Sequence, residues 1–305
     1  MLDAVEGLVT GDTVIHLHGA FVSAMLLDRL LTQWTDVNLV GCALAKNWWR
    51  TPKRPRQCRT LWLQNCTACQ PPNLVIGCSS WPELNWLSVD EGYWDPDLNK
   101  GAIPPEESLS HTSSFPASTS HILNAFHSSN LESLFVYNCK DISFLRHLPA
   151  SKRIRDIYLD GSPYSEEIFD WITSQKGLQQ FSISWKPDTP IPWERLSRLP
   201  KLRSLDVTGT SFSDEDLAEV AKYTRLSVIH AFYTELTPAS WPLVFAMPAL
   251  KQVLVSTEML HGPIPSGLPQ DTLLEEVVAL NVSAKHMEYL QRLLEPYPTV
   301  KSFEM

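Results

Sequence analysis

Leu202, Leu226 and Leu250 stand 24 residues apart, and Ile154, Leu178 and Leu274 fall on the same grid. A fixed period of that length leaves few folds open. A unit so short cannot bury its apolar side alone, so units must stack on their neighbours as a solenoid. Inside the unit the pattern is equally regular: Leu202-x-x-Leu205-x-Val207-x-x-Thr210 and Leu226-x-x-Ile229-x-Ala231-x-x-Thr234 share one template.

The central apolar position recurs at Leu134, Ile157, Phe181, Leu205, Ile229, Val253 and Val277. A second apolar residue follows two places on, at Val136, Leu159, Ile183, Val207, Ala231, Val255 and Ala279. Alternation over so few residues predicts a short strand with one buried face. Five residues after the central position stands Cys139, Ser162, Thr210 or Thr234. Such a side chain can satisfy backbone groups where the chain turns away from the strand.

The rest of each unit reads as helix. Ser213 precedes Asp214, Glu215 and Asp216, an N-cap followed by acids that favour the positive end of a helix. Ser165-Glu166-Glu167 repeats that order, and Thr237-Pro238 sets a proline near the first helical position.

The N-terminal third follows the template loosely. Cys58 to Cys66 and, 24 residues earlier, Val37 to Cys42 fit with a cysteine in the turn slot; Ile15-His16-Leu17 and Leu84 to Val89 also fit. Leu87 and Leu134 are 47 residues apart, about two units, which predicts one more strand between them, centred on Leu109. The stretch 95–120 is rich in Pro, Ser and Thr and reads as a loop. Val300 to Met305 reads as a last half-unit, after a final helix over 283–294.

The unit from Leu202 to Leu217 resembles a leucine-rich repeat of the bacterial and cysteine-containing types, with their Thr/Cys turn slot and Ser-Asp-x-x-Leu helix start. The resemblance implies an α/β solenoid, curved, with a parallel sheet on the concave side and short helices on the convex side. It covers one domain over 1–305: degenerate repeats over 12–130, regular ones over 131–282 and a cap over 283–305. The expected number of units is eleven to thirteen.

Composition narrows the partners. A net charge of −9 disfavours a nucleic-acid binder, which needs a basic stripe to neutralise phosphates. Lys53, Arg54 and Arg56 beside Trp48, Trp49 and Arg50 make a basic-aromatic patch, read here as a solvated loop with packed tryptophans. No apolar run approaches membrane-span length, and Met1 to Glu6 lacks the basic start of a secretion signal, so the expected location is the cytoplasm. Cys58, Cys66, Cys69 and Cys78 include a zinc-like C-x-x-C spacing, but Cys58 and Cys66 occupy repeat positions, which favours buried thiols over metal.

No phosphate loop, nucleophile elbow or His-Glu-x-x-His motif is present. His16 and His18 share one strand face, but two histidines do not complete a metal site. The expectation is a protein-binding adaptor with no enzymatic activity and no cofactor. An inhibitor or immunity protein covering a basic toxin site would use the same face. A metal-dependent hydrolase built on His16, His18 or the Cys66 cluster is the alternative from another class.

Alternation also names the binding face. From Thr60 to Leu280 no Lys or Arg occupies an outward strand position, while Asp90, Asp156, Asp160, Asp206 and Glu276 do. Trp62, Trp86, Phe135, Tyr137, Tyr158 and Phe232 point outward with them, and His230 lies beside Asp206. Exposed aromatics mark contact surfaces, unless a loop such as 95–120 covers them. The predicted contact set is Trp62, Trp86, Phe135, Tyr137, Tyr158, Asp160, Asp206, His230 and Phe232. The expected partner is a protein with a basic or mixed apolar-basic surface.

Overall fold

The computed structural model describes residues 14–44, 57–64, 66, 84–90, 130–137, 142, 145–146, 150–162, 164–184, 191–222 and 225–304. The chain divides into two compact units, Met1–Ile154 and Arg155–Met305.

In the first unit, strands β1 (Val14–His18), β3 (Asp36–Val40), β5 (Thr60–Gln64), β6 (Trp86–Asp90) and β7 (Ser133–Tyr137) pair in parallel in that order. A short parallel pair, β2 (Phe21–Val22) and β4 (Ala43–Leu44), lies apart from them. The strands form because every second residue has somewhere dry to go. Val37, Leu39, Leu61, Leu63, Leu87, Leu134 and Val136 are all buried. Parallel strands need a crossover to return the chain to the same end. Helix α1 (Ala24–Gln33) supplies one, burying Leu27, Leu30 and Leu31 on a single face. Ser23 caps it, its Oγ accepting from the Leu26 amide at 3.2 Å.

Leu87 pairs directly with Leu134. The predicted strand around Leu109 therefore has no place between β6 and β7, and the extra length belongs to the single crossover that joins them. Leu109 itself lies outside the described residues, as do Cys69, Cys78, Cys139, the stretch 95–120 and the patch from Trp48 to Arg56. The 47-residue gap suggested two periods, but a crossover can lengthen without adding a rung to the sheet.

In the second unit seven strands pair in parallel: β8 (Asp156–Tyr158), β9 (Gln180–Ser182), β10 (Ser204–Asp206), β11 (Val228–Ala231), β12 (Gln252–Val255), β13 (Glu276–Ala279) and β14 (Lys301–Glu304). The register puts Ile157, Phe181, Leu205, Ile229, Val253 and Val277 on one line, as the 24-residue grid requires. The crossovers are α2 (Glu166–Ser174), a 3-10 turn at Trp193–Arg198, α3 (Asp214–Val220), a 3-10 turn at Pro238–Ser240 running into α4 (Trp241–Ala246), a 3-10 turn at Thr257–Leu260, and α5 (Ala284–Leu294). No described helix is long and apolar enough to cross a membrane.

The helix starts follow from their caps. Ser213 and Asp216 form a reciprocal capping box, the Asp216 carboxylate accepting the Ser213 amide at 2.9 Å. Thr237 accepts from the Ala239 amide at 3.2 Å. Asp214, in the first turn of α3, also reaches the next repeat, where it accepts from the Thr237 amide at 2.9 Å and from the Ser240 hydroxyl. Ser165 departs from the expected cap: its hydroxyl donates to Glu167 at 2.6 Å, and no side-chain bond to the helix backbone forms.

The turn slot is a ladder in both units. Thr210 donates to the Val207 carbonyl at 2.6 Å and Thr234 to the Ala231 carbonyl at 3.0 Å. Cys66 donates its thiol hydrogen to Leu39 at 3.2 Å, and Cys42 bonds Leu17 at 3.5 Å. These thiols close backbone groups at the strand ends. Burial pushes the Cys42 thiol above its ordinary value, although backbone hydrogen bonds at Ala20, Val40 and Gly19 oppose the shift.

Candidate functional site

Each unit turns one face of its strands away from the helices, and the predicted contact residues divide between the two. Trp62, Trp86, Phe135 and Tyr137 belong to the first unit; Tyr158, Asp160, Asp206, His230 and Phe232 belong to the second.

On the first face the aromatic rings touch in series. Trp62 and Trp86 lie 5.7 Å apart, Trp86 and Phe135 4.8 Å, and Phe135 and Tyr137 6.0 Å, all tilted or edge-on. Edge-on and tilted pairs suit the ring quadrupoles and hold the row in a fixed shape. Trp62 is 38% exposed, and the other three are half-buried. One line across the strands reads Asn38, Trp62, Ser88, Phe135.

Ser88 corrects the reading of alternation. Its side chain points outward, yet it is 1% exposed. It is flanked in register by Trp62 and Phe135 and follows Trp86 on the same face, so large neighbours close over a small side chain. Ser133, Ser182, Ser184, Leu254, Ser256 and Val278 are outward in the pattern and buried in the structure. Alternation fixes direction, whereas exposure depends on what stands beside each residue. Among the described residues, the buried atoms Ser88 Oγ and Asn38 Oδ1 have no hydrogen-bond partner.

On the second face polar side chains link strand to strand. Tyr158 donates its hydroxyl hydrogen to Gln180 Oε1 at 2.8 Å. Asp160 Oδ1 accepts from Ser182 Oγ at 2.6 Å and from the Ser184 amide at 3.0 Å. Asp206 Oδ1 accepts from the Thr208 amide at 2.9 Å, and its other oxygen lies 3.6 Å from His230 Nδ1. Gln252 donates to Glu276 at 2.7 Å. Phe232 is half-buried beside them. Strand β14 extends this face with Lys301 opposite Glu276, a cation beyond the span in which the pattern shows none.

The two carboxylates titrate in opposite directions. Burial raises Asp160 above the ordinary carboxylate value, and the bonds from Ser182 and Ser184 only partly offset it. Burial also raises Asp206, but bonds from His230 and Thr208 outweigh it and leave the group below its ordinary value. Burial lifts the Tyr158 hydroxyl, and Asp156, Asp206 and Asp160 add to that lift. Tyr158 thus stands in a negative field.

His16 and His18 are both exposed on β1. Among the described residues no three His, Cys, Asp or Glu side chains gather as a metal site would require.

Sequence reasoning missed one regularity that shapes these faces. Gly19, Gly41, Gly161 and Gly209 have left-handed backbones, each four residues after the central strand position. Tyr233 and Asn281 take the same conformation at the same place. The glycines were a readable signal; the tyrosine gave none.

Parallel pairing, the 24-residue register and the turn ladder define a leucine-rich-repeat α/β solenoid. No family model matches the sequence, and no curated protein matches it. Among solved structures the chain is similar to an internalin from Listeria monocytogenes str. 4b F2365. That match has a TM-score of 0.45 at 12% identity, covering 95% of this chain and 86% of that one.

Proposed function

We propose that this protein is a cytoplasmic binding module, not an enzyme, and that it engages another protein through the outward faces of its strands, concave in the sequence reading. The observation that carries this is the row of Trp62, Trp86, Phe135 and Tyr137. A fold with ample apolar residues for its core leaves four aromatics in contact on a strand face that the core does not use. Large rigid rings supply contact area at low entropic cost, which is why they anchor interfaces.

The second face supports the same reading with different chemistry. Tyr158, Asp160, Asp206, His230 and Phe232 offer aromatic surface within a negative field, which favours a basic or mixed apolar-basic partner and repels phosphates. A photo-crosslinking amino acid placed at 62 or 158, in the protein expressed in its own cell, tests the reading. One recurrent partner should be captured at either position and lost when the neighbouring aromatic is truncated. Capture at position 285 on α5 equal to that at 62 and 158 would remove the strand faces from the proposal.

A further inference from the structure

The last crossover is capped by a titratable acceptor. Helix α5 (Ala284–Leu294) begins after Ser283, and its third residue is His286 rather than the Glu or Gln of the common capping box. The Ser283 amide donates to Nδ1 of His286 at 3.0 Å. A backbone amide has only a hydrogen to give, so this contact fixes the state of the ring: Nδ1 is a bare lone pair and the single proton sits on Nε2. The same contact is where the ring is vulnerable. A second proton must enter at Nδ1, where it meets the amide hydrogen and ends the bond. The Ser283 hydroxyl, 3.2 Å from Nδ1, can accept from the new N–H and offsets part of the loss. The amide is left without its partner, and a positive ring then stands at the positive end of a helix.

A neighbouring ring sharpens the effect. His261 closes the 3-10 turn Thr257–Leu260, which belongs to the preceding crossover, and its ring lies 4.6 Å from that of His286, edge-on at 85°. Two imidazoles that close resist holding two protons at once. The charged groups acting on His286 from that turn are His261 and Glu258, and they oppose each other. On α5 itself Lys285 and Glu288 are exposed neighbours of opposite sign, one and two residues away, spacings at which helix side chains do not face each other. Partial burial and His261 together outweigh Glu258 and hold His286 below the ordinary histidine value. The folded chain therefore binds this proton more weakly than the unfolded chain. The cap stabilises above the ordinary histidine value, and that stabilisation is lost as pH falls through the folded one.

We infer that His286 and His261 form an acid-sensitive latch on the last repeat: neutral His286 holds the first turn of α5 closed, and proton uptake by the pair releases it. Release is local. Tyr289, Leu290, Leu293 and Leu294 are buried and keep the rest of the helix docked, so acid frees the contact between α5 and the 3-10 turn without unfolding the repeat. The latch goes beyond the protein-binding reading and does not depend on it.

The test is an NMR titration of the full chain from pH 8 to pH 5, following the histidine rings and the backbone amides. At pH 8 the His286 ring should show a bare Nδ1 and a protonated Nε2. The Ser283 amide proton should move upfield with the same midpoint as the ring, because its bond is lost. The Met287 amide makes the first helical bond, to the Ser283 carbonyl at 3.0 Å. Hydrogen exchange, corrected for the intrinsic rate, should show the protection of Ser283 and Met287 falling about five-fold or more over that range. His286→Gln keeps an acceptor at the position and cannot titrate, so its protection should hold from pH 8 to pH 5. His261→Gln should raise the His286 midpoint toward the ordinary histidine value. A ring protonated at Nδ1 at pH 8, an amide shift that ignores the ring's titration, or the same acid loss in His286→Gln overturns the latch. So does an unchanged His286 midpoint in His261→Gln. The ring and amide signals are read on the native chain, so they decide the question even if His286→Gln fails to fold.

Discussion

Asn281 donates a hydrogen bond of 3.1 Å to the hydroxyl of Tyr233, and both residues hold left-handed backbones at φ 54°. Their slot is filled by glycine at Gly41, Gly161 and Gly209, where φ is 60°, 68° and 70°. Asparagine tolerates that region; tyrosine does not, and the conformation costs it about 1–2 kcal/mol. Tyr233 is 51% exposed, so burial returns little of that cost.

Tyr233→Gly should therefore stabilise the protein, although glycine's greater freedom when unfolded takes back part of the gain. The expected net change is a rise of up to about 1 kcal/mol in the unfolding free energy from urea denaturation. A loss of stability would show that the Tyr233 ring and its bond to Asn281 outweigh the backbone strain.

The converse change belongs at Gly41. A methyl group there meets nothing nearer than the Gly19 amide nitrogen at 4.0 Å, so crowding contributes nothing. The left-handed backbone alone should make Gly41→Ala about 1 kcal/mol less stable. Gly41→Asn should lose less. Equal losses for the two variants would mean that the position does not keep its φ of 60°.

The repeat is legible in the amino-acid sequence because its causes are local. Leu202, Leu226 and Leu250 are each buried in equivalent places, so selection for a dry core wrote the period into the chain. The turn slot is legible for the same reason: Thr210 and Thr234 must satisfy a backbone carbonyl that water cannot reach. The pairing of Leu87 with Leu134 is not legible, because the length of a crossover carries no information about rungs. Nor is the burial of Ser88, which depends on rings contributed by three strands rather than on its own position.

The turn ladder sets a second stability prediction. Thr210→Val keeps the shape of the side chain and removes the hydroxyl donor to the Val207 carbonyl, which is left with the Thr210 amide at 3.2 Å. The expected cost is that of one hydrogen bond, about 0.5–1.5 kcal/mol in chemical denaturation. Thr210→Ser retains the hydroxyl and should cost clearly less. Equal effects would mean that packing, not the hydrogen bond, holds the slot.

Asp160 and Asp206 should answer acid in opposite ways. Asp206 is held below its ordinary value, so it binds a proton more weakly folded than unfolded. Its stabilisation is present above the ordinary carboxylate range and disappears as pH falls through the folded value. Asp160 is raised, so its charged form disfavours folding at neutral pH, and that penalty lifts as pH falls through the raised value. Asp206→Asn should be less stable than the native protein at pH 7, with the gap closing in acid. Asp160→Asn should match or exceed native stability at pH 7, with its advantage shrinking in acid. Thermal melts from pH 7 down to pH 3 measure both gaps; parallel curves would mean that neither carboxyl is perturbed.

Tyr158 is the sharpest probe of the second face. Its ring is half-buried, its hydroxyl donates to Gln180, and Asp156, Asp160 and Asp206 surround it with negative charge. A cationic partner meeting that field is drawn in by the carboxylates and held by the ring, so the two contributions separate kinetically. Tyr158→Ala should weaken binding of the crosslinked partner by about 2 kcal/mol or more, chiefly through faster dissociation. Asp206→Asn should slow association and flatten its dependence on salt. Surface plasmon resonance at two ionic strengths distinguishes these outcomes. A Tyr158→Ala protein that melts as the native one does and still binds the partner normally would remove this face from the interface.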